Sequence, residues 1–158
     1  MRRLVIFAVA LVLAACVTAP IPPDYTGPLA KVYDASIRET LARVQYFYLA
    51  EIDGKPIENA MSRMRKANSG RGFSSMATGF DRSIPARPMV VKLEGRIAYG
   101  APIQEILMFA TMYEANTYLE FSPEPNTEYT AVGELTENKR DVWLANAAGE
   151  RVGKLVKR

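Results

Sequence analysis

The chain has 158 residues, with 20 Lys and Arg against 17 Asp and Glu, one cysteine and no histidine. Without histidine there can be no Ser-His-Asp or Cys-His nucleophilic site, no histidine metal centre and no histidine proton relay. A lone cysteine excludes an intrachain disulfide, and a length of this order is that of one domain with one core.

Arg2 and Arg3 precede an apolar run from Leu4 to Leu13, and small residues follow it, the three-part pattern of an export signal. The run is well short of the roughly 20 apolar residues that span the hydrocarbon layer. Residues 1–15 are therefore expected to be removed, leaving a mature chain without a transmembrane helix. The small-residue site ends on the sole cysteine, and Leu13-Ala14-Ala15-Cys16 resembles the lipobox of bacterial lipoproteins. The resemblance covers only the first sixteen residues, and it implies that Cys16 becomes the lipid-modified first residue. In that family an Asp after the cysteine commonly marks retention at the inner membrane. Val17 stands there, so the resemblance implies an outer-membrane anchor; the domain is expected to face the periplasm, although the residues do not decide between that side and the cell surface. Several acyl chains, each buried methylene contributing about 0.8 kcal/mol, make such an anchor stable. The alternative is that Cys16 is a small buried residue beside an ordinary cleavage site at Ala15 or Ala19. Removal of Arg2 and Arg3 leaves 18 basic against 17 acidic residues, a balance that does not argue for nucleic acid.

Residues 16–29 contain Pro20, Pro22, Pro23 and Pro28 with Gly27 and Tyr25, and lack apolar periodicity. They read as an extended tether, reaching roughly 40 Å at about 3.1 Å per residue in polyproline II; the alternative is a segment packed along the domain edge through Tyr25. Residues 30–158 form the domain. Short runs of β-branched and aromatic residues alternate there with Gly, Pro, Asn and Asp clusters. Ala30 to Tyr33 is a short first strand, and Asp34 to Leu41 is ambiguous between helix and strand. Arg43 to Ile52 is a central strand, apolar on both faces at its middle. Asp53-Gly54 predicts a hairpin turn into Lys55 to Met61, although Pro56 suits an edge. Arg63 to Pro88, with glycines 70, 72 and 79, predicts a long loop or a weak bulged strand.

Met89 to Ile97 alternates Val91, Leu93 and Gly95 against Lys92, Glu94 and Arg96 and is a half-buried strand. Ile103 to Phe109 fits either a strand or a helical turn. Asn116 to Phe121, Glu128 to Leu135, Asp141 to Ala145 and Arg151 to Val156 complete seven or eight strands, with a polar turn at Thr136 to Arg140. This spacing predicts an all-β, Ig-like or transthyretin-like antiparallel sandwich. The expected core is Val44, Tyr46, Tyr48, Ile52, Val91, Leu93, Leu119, Phe121, Tyr129, Val132, Leu135, Val142, Leu144 and Val152. Trp143 faces away from Val142 and Leu144 or covers a sheet end.

Few residues offer catalytic chemistry. No serine has a lysine three positions on, and Ser62 with Lys66 has the wrong spacing. Glu51 and Asp53, two apart on one strand, could act as paired carboxylates in a hydrolase, but Asp53 also stands where an Asp-Gly turn requires it. Gly149 to Lys154 lacks the spacing and the Ser or Thr of a phosphate loop and reads as a hairpin with a basic end. No calcium-hand spacing occurs, and Met61 with Met64 suits gap-filling better than copper. No cofactor is expected.

The positive signal is a basic cluster. Arg63, Arg65, Lys66, Arg71, Arg82, Arg87, Lys92 and Arg96 face only Asp81 and Glu94 within their segment, giving it a charge of +6. Such asymmetry can serve an anionic lipid or glycan, with Arg63, Arg65, Lys66 and Arg71 as the contacts, or it can be a solvated surface. Phe73 and Phe80 could stack on bases, but export disfavours that ligand. The chain reads first as a lipid-anchored, non-enzymatic protein that binds another envelope component, a protein before a lipid or glycan.

Overall fold

The structure is a computed structural model and describes residues 17–40, 43–68, 79–99 and 112–156. The lipobox-like stretch Leu13 to Cys16, Arg71, Phe73 and the Ile103 to Phe109 stretch lie outside the described residues. The chain order is β1 (Leu29–Arg38), β2 (Arg43–Ile52), β3 (Lys55–Pro56), α1 (Ala60–Asn68), β4 (Phe80–Pro85), β5 (Met89–Tyr99), β6 (Glu114–Phe121), β7 (Glu128–Leu135), β8 (Arg140–Asn146), β9 (Arg151–Val152) and β10 (Lys154–Leu155). No helix among the described residues is long and apolar enough to cross a membrane.

The all-β expectation holds, with α1 as an addition. The strands form one sheet in the order β10-β6-β5-β2-β1-β7-β8-β9, with β3 on β2 and β4 on β1. This sheet nearly closes into a barrel and is not specifically an Ig-like or transthyretin-like sandwich. Closure depends on β9 and β10. β9 pairs with β8 through Val152 and Leu144, and two residues later β10 pairs with β6 through Lys154 and Glu120. The chain makes this change of partner at Gly153, whose φ of +86° is disfavoured for residues with a side chain. The ladders are antiparallel except that β1 runs parallel to β7, which departs from the antiparallel expectation.

β1 explains how the sheet turns its corner. Its first half, Leu29 to Asp34, pairs with β4, and its second half, Ala35 to Arg38, pairs with β2. The β1–β2 ladder therefore ends at Phe47, and the backbone groups of Leu49 need other partners. Asp34 and Arg82 supply them: the Asp34 carboxylate accepts from the Leu49 amide at 3.1 Å, and Arg82 donates to the Leu49 carbonyl at 3.1 Å. The two side chains also pair with each other, at 0% and 4% exposure. Burial pushes the Asp34 carboxyl up and the Arg82 guanidinium down, and their mutual attraction opposes both shifts.

β2 buries both faces. Phe47, Leu49 and Ile52 join the barrel interior with Val32, Leu93, Leu135, Val142 and Leu144. Val44, Tyr46, Tyr48 and Ala50 instead form an outer cluster with Ala60, Met61 and Met64 of α1. The expected core thus divides in two. Val132 and Val152 are only half-buried. On β7 the residues Tyr129, Ala131 and Leu135 are buried, so strict alternation turns Val132 outward. At the interior position between Ala131 and Leu135, Gly133 makes room for the Phe47 ring: a Cβ there would lie 2.4 Å from the ring and 2.4 Å from the Asp141 carbonyl.

Two expectations for the middle of the chain are corrected. The strand after Gly54 ends at Pro56, and Arg63 opens neither a loop nor a weak strand because it lies within α1. Asn59 and Ser62 begin this helix by bonding reciprocally, each side-chain oxygen accepting from the other residue's amide, at 2.9 and 3.1 Å. Asp34 also accepts from the Ala60 amide at 2.8 Å, placing a buried carboxylate at the helix N-terminus. Phe80 to Pro85 is a full strand on β1. Asp34, in the stretch left ambiguous, is in β1.

Candidate functional site

The basic segment was the main candidate, and the fold disperses it. Arg63 and Lys66, three apart on α1, both reach Glu58, at 3.6 and 2.9 Å. Glu58 is held below the usual carboxylate range chiefly by Lys66. Arg82 is buried on Asp34, Arg87 pairs with Asp53 at 2.7 Å, Lys92 with Glu51 and Glu94 at 3.1 and 2.7 Å, and Arg96 with Glu94 and Glu114 at 3.2 and 3.3 Å. Most of these carboxylates lie outside residues 63–96, so the segment's excess charge is met by strands that sequence order does not place beside it. Arg71 lies outside the described residues.

Arg65 differs from its neighbours. Two positions from Arg63, it is turned to another side of the helix and lines a recess of about 270 Å³ between α1 and the outer face of β2 and β5. Tyr48, Glu51, Glu94 and Arg96 line the same recess. Arg65 has no ion-pair partner among the described residues. Register brings the recess together: Tyr48 stands opposite Glu94 on the β2–β5 ladder, and Glu51 opposite Lys92 after a bulge past Leu49. The Tyr48 hydroxyl donates to Glu94 at 2.8 Å, and burial reinforced by that carboxylate pushes the phenol up. Glu94 is partly buried, which alone would raise its carboxyl. Lys92, Tyr48 and Arg96 outweigh that effect and hold it below its ordinary range.

Chemically this is a charge-balanced, hydrogen-bonded recess, with Arg65 at its rim making no ion pair among the described residues. A carboxylate held ionised by three donors is suited to orienting a polar ligand and poorly suited to giving up a proton near neutrality. Glu51 and Asp53, the candidate carboxylate pair, line different cavities: Glu51 lines this recess, and Asp53 a cleft at the sheet end with Arg87. Asp53 has a φ of +50° in its turn and accepts from the Val90 amide at 2.9 Å. Phe80 lies under two guanidinium groups, Arg63 at 4.2 Å and Arg82 at 4.6 Å, so its ring faces are engaged within the domain. Met61 and Met64 pack in the outer cluster. Arg151 covers the Trp143 ring at 4.0 Å.

Sequence reasoning missed Asp34, Tyr48 as a polar group, and the grouping of Lys92, Glu94 and Arg96. The last was visible as alternation along β5; the partner strand was not.

At the end of the sheet near the Asp53-Gly54 turn, residues 17–28 lie against the domain. The Thr18 amide donates to the Pro56 carbonyl at 2.8 Å, and Thr18 bridges Ile57 in parallel. Residues 17–23 line a cleft of about 400 Å³ with Ile52, Lys55, Ile57 and Arg87. Tyr25 closes a turn onto Pro22, and its hydroxyl donates to the Pro28 carbonyl at 2.7 Å. Compared with known proteins, the chain matches no family model, no curated protein and no solved structure.

Proposed function

We propose that this protein is a lipid-anchored component of the bacterial envelope, attached through Cys16 to the outer membrane, whose β-domain binds another envelope component, a protein. The observation that carries the reading is the Leu13-Ala14-Ala15-Cys16 lipobox, set at the end of a charged and apolar export pattern and ending on the sole cysteine. A chain without histidine lacks the commonest general base and metal ligand, which favours a binding role over a catalytic one. The test is direct. Wild-type protein labelled with palmitate should incorporate it and fractionate with the outer membrane, and Cys16→Ser should lose both. Labelling of the variant, or its unchanged membrane association, refutes the anchor. Crosslinking of the wild-type protein in its own envelope should then capture a partner protein.

A second reading, binding of an anionic lipid or glycan, is favoured by one feature, Arg65 at the rim of the Tyr48–Glu94 recess, which has no ion-pair partner among the described residues. On this reading Arg65→Gln weakens binding to lipopolysaccharide or anionic vesicles in a salt-dependent way, whereas Arg63→Gln, already committed to Glu58, has a smaller effect. Equal effects of the two would remove the recess from consideration. A two-carboxylate hydrolase has less support, because Glu51 and Asp53 line separate cavities and each is bonded to a cation.

A further inference from the structure

The length of chain between an anchor and the first residue fixed to a domain decides how the domain meets the membrane. Thirteen residues of free polyproline would let the domain stand roughly 40 Å away. Here Thr18 is already bonded to Pro56, and Pro28 is bonded in turn, its carbonyl accepting from the Ala86 amide at 2.8 Å. Between these two points Pro20, Ile21 and Pro22 are half-buried along the cleft formed with Ile52 and Ile57. Both ends of the proline-rich segment are thus held at the same end of the sheet. Its length is taken up against the protein and is not available as reach.

Only Val17 separates Cys16 from Thr18, and two residues span at most about 7 Å. From these distances we infer that the domain rides directly on a phospholipid bilayer, with the end carrying the Asp53-Gly54 turn, Lys55 and Arg87 against the headgroups. This orientation rests on the Cys16 anchor proposed above. The sheet supports it geometrically. β2 runs from Arg43, beside Tyr99, to Ile52, beside Lys55, and its ten residues cover about 33 Å. Glu39, Arg43, Tyr99, Tyr113, Thr136 and Glu137 line a cavity of about 400 Å³ at the far end. That end, and not the Lys55 end, is then presented to the aqueous space. Lys55, an exposed cation, is placed where anionic headgroups attract it.

The test uses the full processed and acylated protein in vesicles of phosphatidylethanolamine and phosphatidylglycerol. With the Cys16 sulfur lipid-modified, Lys55→Cys or Glu137→Cys supplies the sole free thiol for a fluorophore, and a headgroup-borne nitroxide supplies the quencher. Quenching at position 55 should be several-fold stronger than at position 137. Adding Thr18→Pro, which removes the amide donor, should bring position 55 down towards the level of position 137. Equal, weak quenching at both positions in palmitate-labelled, vesicle-bound protein would overturn the orientation while leaving the anchor intact. Quenching at 55 that Thr18→Pro does not change would show that the Thr18–Pro56 bond does not hold the domain down. A wild-type chain that takes up no palmitate would remove anchor and orientation together.

Discussion

Replacing Arg82 by Leu leaves Asp34 fully buried with no cation, and breaking a buried pair in this way costs about 3–5 kcal/mol. The double variant, Asp34→Leu with Arg82→Leu, is the more informative. Exchanging both members of a buried pair for apolar residues is often neutral or even stabilising. In this fold the pair also serves three backbone groups, the amide and carbonyl of Leu49 and the amide of Ala60. Each buried polar group left without a partner costs about 1–3 kcal/mol. The double variant should therefore remain at least about 3 kcal/mol less stable than the wild type. With a urea m-value of about 2 kcal/mol/M, that lowers the unfolding midpoint by roughly 1.5 M. Urea titration followed by circular dichroism and by Trp143 fluorescence measures it, and the slope shows whether unfolding stays two-state. Recovery of the double variant to within about 1 kcal/mol would refute the reasoning, because it would mean that the pair acts only as an ion pair and not as a substitute for the missing ladder.

Gly133→Ala should destabilise by about 1–3 kcal/mol through overpacking against Phe47 and the Asp141 carbonyl, and a shift of the thermal midpoint reads it; an unchanged midpoint would show that the barrel interior is looser at that position. Gly153→Val places a branched residue at φ +86° and should cost about 1–2 kcal/mol, with faster amide exchange confined to β9 and β10. Glu94 is held below its ordinary range, so it stabilises the fold above about pH 4.5 and this contribution is lost as pH falls through its folded value. Glu94→Gln should therefore lower stability at pH 7 and flatten the acid limb of the stability profile, and a parallel downward shift at every pH would contradict that assignment.

Where alternation and turn residues agreed, the sequence was a good guide: β7 spans Glu128–Leu135 as read, and β2 spans Arg43–Ile52. Its misleading parts have physical causes. β4 was hidden because Phe80 to Pro85 carries Asp81, Arg82 and a terminal proline, and Arg82 faces inward where alternation expects an apolar residue. α1 is only nine residues long and has no acid in its first turn, so its start was marked only by Asn59 and Ser62, residues equally at home in a loop. The basic cluster was legible as composition but not as a surface. Its counter-charges, among them Glu58, Asp53 and Glu114, are supplied by register and by long-range packing, which one-dimensional spacing does not contain. The same holds for Asp34, whose partners Leu49, Ala60 and Arg82 come from three other elements.

The seam at Gly153 has a consequence for the order in which the molecule can be made. β1 waits for β7, a separation of 95 residues between the bonded Tyr33 and Glu128 side chains, and β6 and β8 are joined through residues 151–155 of β9 and β10. A polypeptide emerging from its N-terminus can form β1, β2 and β5 early, but it carries open strand edges until residues 151–155 arrive. Closure of the sheet thus waits on residues 151–155. A copy that lacks residues 151–155 leaves both edges that they cover, on β8 and β6, available for pairing with another molecule.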